Sequence, residues 1–187
     1  MRGRRSSNLS VYGVRGYIKS TTFSVPQTNH NFSDAAFHAI EGGTGLEVGW
    51  FIGWAPEWGV YWSSPHAYST LNDADESDGP SVGNATDFYS TYWSGSTQIW
   101  NVRTTNGGTI LWSGSKFAGT SGPGQIAATG EVNDNSLHMA GEFDGAAPEL
   151  QFFSGDGAWN KWQGVSLCAD TNFFAFGDAT SITVGGN

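Results

Sequence analysis

Apolar residues in this chain alternate with polar ones or gather in short runs between Gly, Asn, Asp, Ser and Pro clusters. Nowhere do they recur at the i, i+3, i+4, i+7 spacing for three full turns. A chain patterned this way has no amphipathic helix to lay over a sheet, so its sheets must cover one another. The residue types agree: 27 Gly, 9 Trp, 12 Phe and 6 Tyr suit strands and turns, while the helix formers Lys, Arg, Glu, Gln and Leu are scarce. At 187 residues there is room for one domain with a sizeable core and none for a second. The expected fold is all-β, an antiparallel two-sheet β-sandwich of jelly-roll type spanning residues 11–187, behind a basic, mobile N-terminal tail at residues 1–10.

Strands are expected near 11–18, 21–25, 35–40, 44–54, 57–63, 88–93, 97–104, 108–113, 125–133, 136–143, 148–154, 172–176 and 180–184. Thr105-Asn106-Gly107-Gly108 reads as a tight hairpin, because Asn-Gly tolerates the positive φ of a two-residue turn. The acidic stretch from Asn72 to Thr86 reads as a long polar loop. Its alternating oxygens resemble a calcium loop, but the Gly and distal Glu of such a site are misplaced, so no metal is expected there. His30, His38, His66 and His138 are scattered without ligand spacing, so no zinc site is expected either, and no cofactor motif is legible.

Charge narrows the partners. From residue 20 onward, Arg103, Lys116 and Lys161 face all 17 acidic residues, a body charge of −14 within a chain of −9. Such a body repels nucleic acid. No apolar run is long enough for a membrane span, so no membrane partner is expected. The start MRGRRSS is basic without an apolar stretch behind it and is not a complete signal peptide, yet an acid-tolerant, carboxylate-rich surface suits a secreted protein. Asn8, Asn31 and Asn84 open Asn-x-Ser/Thr sequons, and Cys168, alone, reads as a buried thiol.

Two strands each carry a glutamate among apolar or small residues. In Gly45–Trp54, period two puts Leu46, Val48 and Trp50 on one face and Glu47, Gly49 and Phe51 on the other. In Gln125–Asn133, Ala127, Thr129, Glu131 and Asn133 share a face. A carboxylate in such a strand is costly without a purpose, and glycine beside Glu47 is expected to leave a groove above the sheet. Spacing alone leaves two readings open: both glutamates on one concave face, or each at a strand end meeting water.

Ile40-Glu41, Leu46-Glu47-Val48-Gly49-Trp50, Pro56-Glu57-Trp58-Gly59, Val60-Tyr61-Trp62-Ser63 with Tyr68, and later Gly130-Glu131-Val132 resemble, in that order, the motifs of the neprosin domain, a relative of the glutamic peptidases called eqolisins. Tyr12–Ile18 and Val25-Pro26 resemble its opening strand. The chain differs in having no cysteine between the two glutamates and Ala128-Thr129 where the family has Trp. The resemblance implies a glutamic endopeptidase working at acidic pH on peptides or proteins, with a preference for proline-containing ones. Glu47 and Glu131 would be the catalytic pair, Glu47 mainly as the protonated donor and Glu131 as the base. Gln125, Thr129, Asn133 and Tyr61 would orient water or the oxyanion, and Trp50, Trp54, Trp58 and Trp62 would line the groove.

Two rivals use the same features. A glycoside hydrolase on a jelly roll also needs facing carboxylates, about 5 Å or 6.5–9.5 Å apart, whereas direct hydrogen bonding between them marks a shared-proton peptidase. A non-catalytic carbohydrate-binding or structural module would use the tryptophans for stacking alone.

Overall fold

In a computed structural model of the protein, the described residues are 2–5, 11–20, 24–41, 44–55, 59–70, 76–82, 86–94, 99–106, 109–117, 125–133, 137, 139–144, 150–154, 157–163, 166–169, 172–178 and 180–186. They form an all-β, two-sheet antiparallel structure as expected, with a three-residue 3₁₀ turn at Thr28–His30 and no α-helix among them.

Sheet A runs in the order β14 (Ser166–Cys168), β1 (Arg2–Arg5), β10 (Gln125–Val132), β3 (Phe32–Glu41), β4 (Thr44–Ala55), β5 (Val60–Thr70), β6 (Glu76–Ser81). Sheet B runs β15 (Phe173–Gly177), β16 (Ser181–Gly186), β11 (Met139–Asp144), β2 (Val11–Lys19), β7 (Thr86–Ser94), β8 (Ile99–Asn106), β9 (Thr109–Phe117), with β12 (Gln151–Ser154) on β2 and β13 (Trp159–Lys161) on β12. Each strand sends alternate side chains into a shared core. Sheet A contributes Ala35, Phe37, Val48, Trp50, Ile52 and Ile126; sheet B contributes Val14, Ile18, Tyr89, Val102, Phe143 and Ile182.

Four strands depart from the sequence expectation, and the reasons are physical. Arg2–Arg5, expected within the tail, pairs with both β10 and β14, because ladder hydrogen bonds come from the backbone and need no apolar pattern. Glu76–Ser81, expected within a loop, pairs with β5 as an outermost strand of sheet A, where polar residues are the rule. β13 and β14 have three residues each, too short to show a period. No strand forms at Ser24 and Val25 of the segment expected over 21–25, although Val25 is buried. Asn106 stands opposite Thr109, one residue further on than the Thr105–Gly108 pairing that an Asn106-Gly107 turn would give; residues 107 and 108 lie outside those described.

The outer face of sheet A carries the acidic residues of interest. Inward Ala35, Phe37 and Ala39 alternate along β3 with Asp34, Ala36 and His38, and β4 alternates in the same way. A bulge between Phe51 and Gly53 in the β4–β5 pairing, with Gly53 at φ +112, turns the end of β4.

Candidate active site

Strand pairing fixes three cross-strand rows on that outer face. The first is Ala127, His38, Glu47 and Thr70; the second Thr129, Ala36, Gly49 and Tyr68; the third Glu131, Asp34, Phe51 and His66. Glu47 and Glu131 therefore do share a face, but they stand in the outer two rows, four residues apart along β3. At about 3.3 Å per residue the two rows are roughly 13 Å apart at the backbone. The residue directly opposite Glu131 is Asp34, not Glu47.

Around Glu47 the contacts are well defined. One carboxylate oxygen lies 3.1 Å from His38 Nδ1, and the other accepts a hydrogen bond from the Tyr68 hydroxyl at 3.2 Å. The far side of the imidazole, Nε2, is hydrogen-bonded to Thr129 Oγ1, and both His38 and Thr129 are buried. Both Glu47 oxygens are thus engaged, one by the imidazole and one by the phenol. Glu47 itself keeps 28% of its side-chain surface open to solvent, so it can meet a ligand.

Asp34 is buried, and its Oδ1 accepts a hydrogen bond from the Glu131 backbone N–H at 3.2 Å. Burial pushes its carboxyl well above the usual carboxylate range; the charge of Glu131, then that of Glu47, pushes further in the same direction, against the smaller opposing effect of the amide hydrogen bond. Tyr68 titrates well above its ordinary value, first through burial, then through Asp34, Glu47 and Glu131. Tyr68 stands in the middle row, between the row of Glu47 and that of Asp34 and Glu131.

The walls are aromatic. Phe51, Trp62, Tyr68 and Ala36 form a second buried cluster on this face, with Phe32 against it. Phe51 stacks on Phe32 at 5.2 Å and meets Trp62 and Tyr68 edge-on at 5.8 Å each, while Trp62 stacks on His66 at 4.7 Å.

Several expected site residues sit elsewhere or act differently. Trp50 does not line a groove: it is fully buried between the sheets and donates its indole N–H to the Lys19 carbonyl at 3.1 Å. Tyr61 is tied through its hydroxyl to the Val25 carbonyl. Asn133 is exposed and holds the start of β3, accepting from Phe32 N at 2.9 Å and donating to the His30 carbonyl at 2.8 Å. Trp54 is half-buried and stacks on His30 at 4.7 Å. Trp58 and the Gln125 side chain lie outside the described residues. Gly49 does not open a gap either: a Cβ there would fall 2.1 Å from the Ala35 carbonyl oxygen and 2.6 Å from Ala36 Cα, so the glycine serves a close approach of β4 to β3.

No family model and no curated protein sequence matches the chain. Solved structures do match. Scytalido-glutamic peptidase with a transition state analog inhibitor superposes with a TM-score of 0.64 at 13% identity, covering 99% of this chain and 97% of that one. The same peptidase with a peptide-based transition state analog gives 0.63 at 11% identity over 99% and 97%. SCP-B, a member of the Eqolisin family of peptidases in complex with the tripeptide Ala-Ile-His, gives 0.62 at 12% identity over 99% and 96%. At these identities the likeness is one of fold: the chain has the two-sheet architecture of glutamic peptidases along nearly its whole length. The expected fold is borne out, while the relation to glutamic peptidases and the neprosin resemblance rest on the sequence motifs.

Proposed function

We propose that the protein is a glutamic-type endopeptidase of neprosin-like kind, acting on peptides or proteins at acidic pH, outside the cell, with proline-containing sequences among its preferred substrates. The observation that carries the reading is the acidic trio on the outer face of sheet A, in which the Asp34 carboxyl is raised first by its burial and then by the charges of Glu131 and Glu47. Three carboxyls around one space cannot all ionise cheaply, so the site holds a proton into the range where lone carboxyls have lost theirs.

The roles follow from the contacts. Glu47, held as an acceptor by His38 and Tyr68, takes a proton from the attacking water. Asp34 and Glu131, directly opposite one another, share the retained proton and offer it to the carbonyl oxygen as negative charge develops there. Collapse of the tetrahedral species breaks the C–N bond, and the proton held on Glu47 passes to the leaving nitrogen. This reverses the role that the sequence resemblance suggested for Glu47 and adds Asp34 to the pair. The Phe32, Phe51 and Trp62 cluster beside the acids supplies apolar contact for substrate side chains, and a proline ring suits such a wall.

The test is cleavage of a denatured protein and of proline-containing peptides across about pH 2 to 6, the range in which a shared-proton pair works. Activity with an acid optimum, lost in Glu47→Gln and Glu131→Gln variants that remain folded, supports the assignment. Folded wild-type protein that cleaves nothing in that range overturns it.

A further inference from the structure

The outer face of sheet B, on the opposite side of the sandwich from the acids, gathers three of the chain's eight basic residues in one row. Register sets Arg103, Ser90, Arg15, Gln151 and Lys161 in one row across β8, β7, β2, β12 and β13. Arg103 to Arg15 and Arg15 to Lys161 are each two strands apart, about 10 Å at the backbone. Only three basic residues follow residue 20, and two of them stand in this row. The Arg103 and Lys161 side chains are exposed.

The central cation is built into place. Arg15 Nε donates to Gln151 Oε1 at 2.7 Å, and its guanidinium lies 4.1 Å from the centre of the Trp159 ring. Trp159 packs at 5.1 Å from Phe153 and 6.2 Å from Tyr92, all three half-buried, so one side of the row is a rigid aromatic shelf. Glu142, on the same face toward β11, is ion-paired with Lys19 at 3.1 Å and leaves the row itself to cations.

From this row we infer a second binding site, distinct from the acidic face, that takes a carboxylated polysaccharide, a polyuronate. A sugar ring lies against Tyr92 beside the Arg15–Trp159 pair, and carboxylates meet Arg103, Arg15 and Lys161 at a spacing of about two strands, which suits the acid groups of every second residue of an extended uronate chain. Gln151 and Asn101, the latter opposite Tyr92, add hydrogen-bonding groups for hydroxyls. In a chain of net charge −9, this local row of three cations beside aromatics offers a polyanion complementary charge.

Migration of the full-length protein in native gels containing polygalacturonate tests the site, at about pH 6 where carboxylates are ionised and at low ionic strength where screening is weak. The expected result is retardation by polygalacturonate and none by an uncharged glucan, reversed by about 1 M salt, where the screening length falls to about 3 Å. Affinity should fall at least about 10-fold in the Arg103→Gln, Lys161→Gln double variant and about 5-fold or more in Trp159→Ala, roughly the size expected of exposed charge and stacking contacts. The double variant changes only exposed groups and should keep the wild-type melting temperature and peptide cleavage. Glu47→Gln should bind as wild type does, so this site stands or falls separately from the peptidase reading. Absence of retardation, equal retardation by polyglutamate, or an affinity unchanged in the double variant overturns the inference.

Discussion

Asp34 and Glu131 stand directly opposite one another on neighbouring strands, and the Glu131 amide donates to the Asp34 carboxyl at 3.2 Å. Cross-strand partners bring their Cβ atoms to about 5 Å, so the charge of Glu131 adds to burial in holding the proton on Asp34.

Replacing Asp34 with Asn separates chemistry from stability. Asn keeps the acceptor for the Glu131 amide but has no proton to share, so peptide cleavage should fall by about 100-fold or more, the usual worth of a positioned acid. The folded Asp34 carboxyl titrates well above its ordinary value, so its contribution to stability is fully present below the ordinary carboxylate range and is lost as pH rises through the folded value. Asp34→Asn should therefore flatten the decline of melting temperature from acid toward neutral pH. At about pH 7 it should melt higher than wild type, by roughly 2–4 °C for each kcal/mol of burial cost removed in a chain of this size. Thermal scans between about pH 4 and 8 check this, and an unchanged slope would show that Asp34 is not the group that holds the proton.

On the proposed reading, Glu47→Gln should lower kcat by roughly 100- to 10,000-fold with little change in KM, because it removes the base and keeps nearly the same side-chain shape. Tyr68→Phe should cost less, since it removes one of two donors to Glu47 while His38 remains. Steady-state kinetics across pH distinguish these outcomes from a general loss of fold, which would lower both variants alike at every pH.

How much of this was legible beforehand depends on whether the signal lies within one strand or between strands. Glu47 and Glu131 are visible because each interrupts an apolar or small-residue strand, and period two assigns the face of each correctly. Asp34 and His38 were missed because Phe32-Ser33-Asp34-Ala35-Ala36-Phe37-His38 looks like an ordinary polar alternation until β3 is known to lie between β4 and β10. Only that neighbour relation puts Asp34 beside Glu131 and His38 beside Glu47. The cation row on sheet B is hidden for the same reason, since Arg15, Arg103 and Lys161 are far apart in sequence. Trp50 shows the converse: alternation already grouped it with Leu46 and Val48, and that pattern, rather than its chemistry, gave its place in the core.

Gly49→Ala should destabilise the protein. The added methyl group meets the Ala35 carbonyl oxygen and the Ala36 backbone, neither of which can turn aside as a side-chain tip would. Overpacking of this kind costs about 1–3 kcal/mol or more. A fall in melting temperature of several degrees, with the β3–β4 register distorted and both Glu47 and Asp34 displaced, should reduce activity beyond what the lost stability explains. A variant as stable as wild type would mean that the two strands can separate at this point.

Trp50 and Trp54 provide the sharpest contrast between packing and recognition, because they lie four residues apart on one strand. Trp50 is fully buried in the main core and bonded to the Lys19 carbonyl, so Trp50→Ala should cost about 3–5 kcal/mol and impair folding whatever the substrate. Trp54 is half-buried against His30 at the end of β4. Trp54→Ala should cost about 1 kcal/mol, the usual worth of one aromatic pair, and raise KM for peptide substrates while leaving kcat near wild type. Denaturant melts and steady-state kinetics on the two variants read these effects separately. A Trp54 variant that loses stability as Trp50 does, with KM unchanged, would assign this tryptophan to the framework and leave the Phe32, Phe51 and Trp62 cluster as the apolar wall for the substrate.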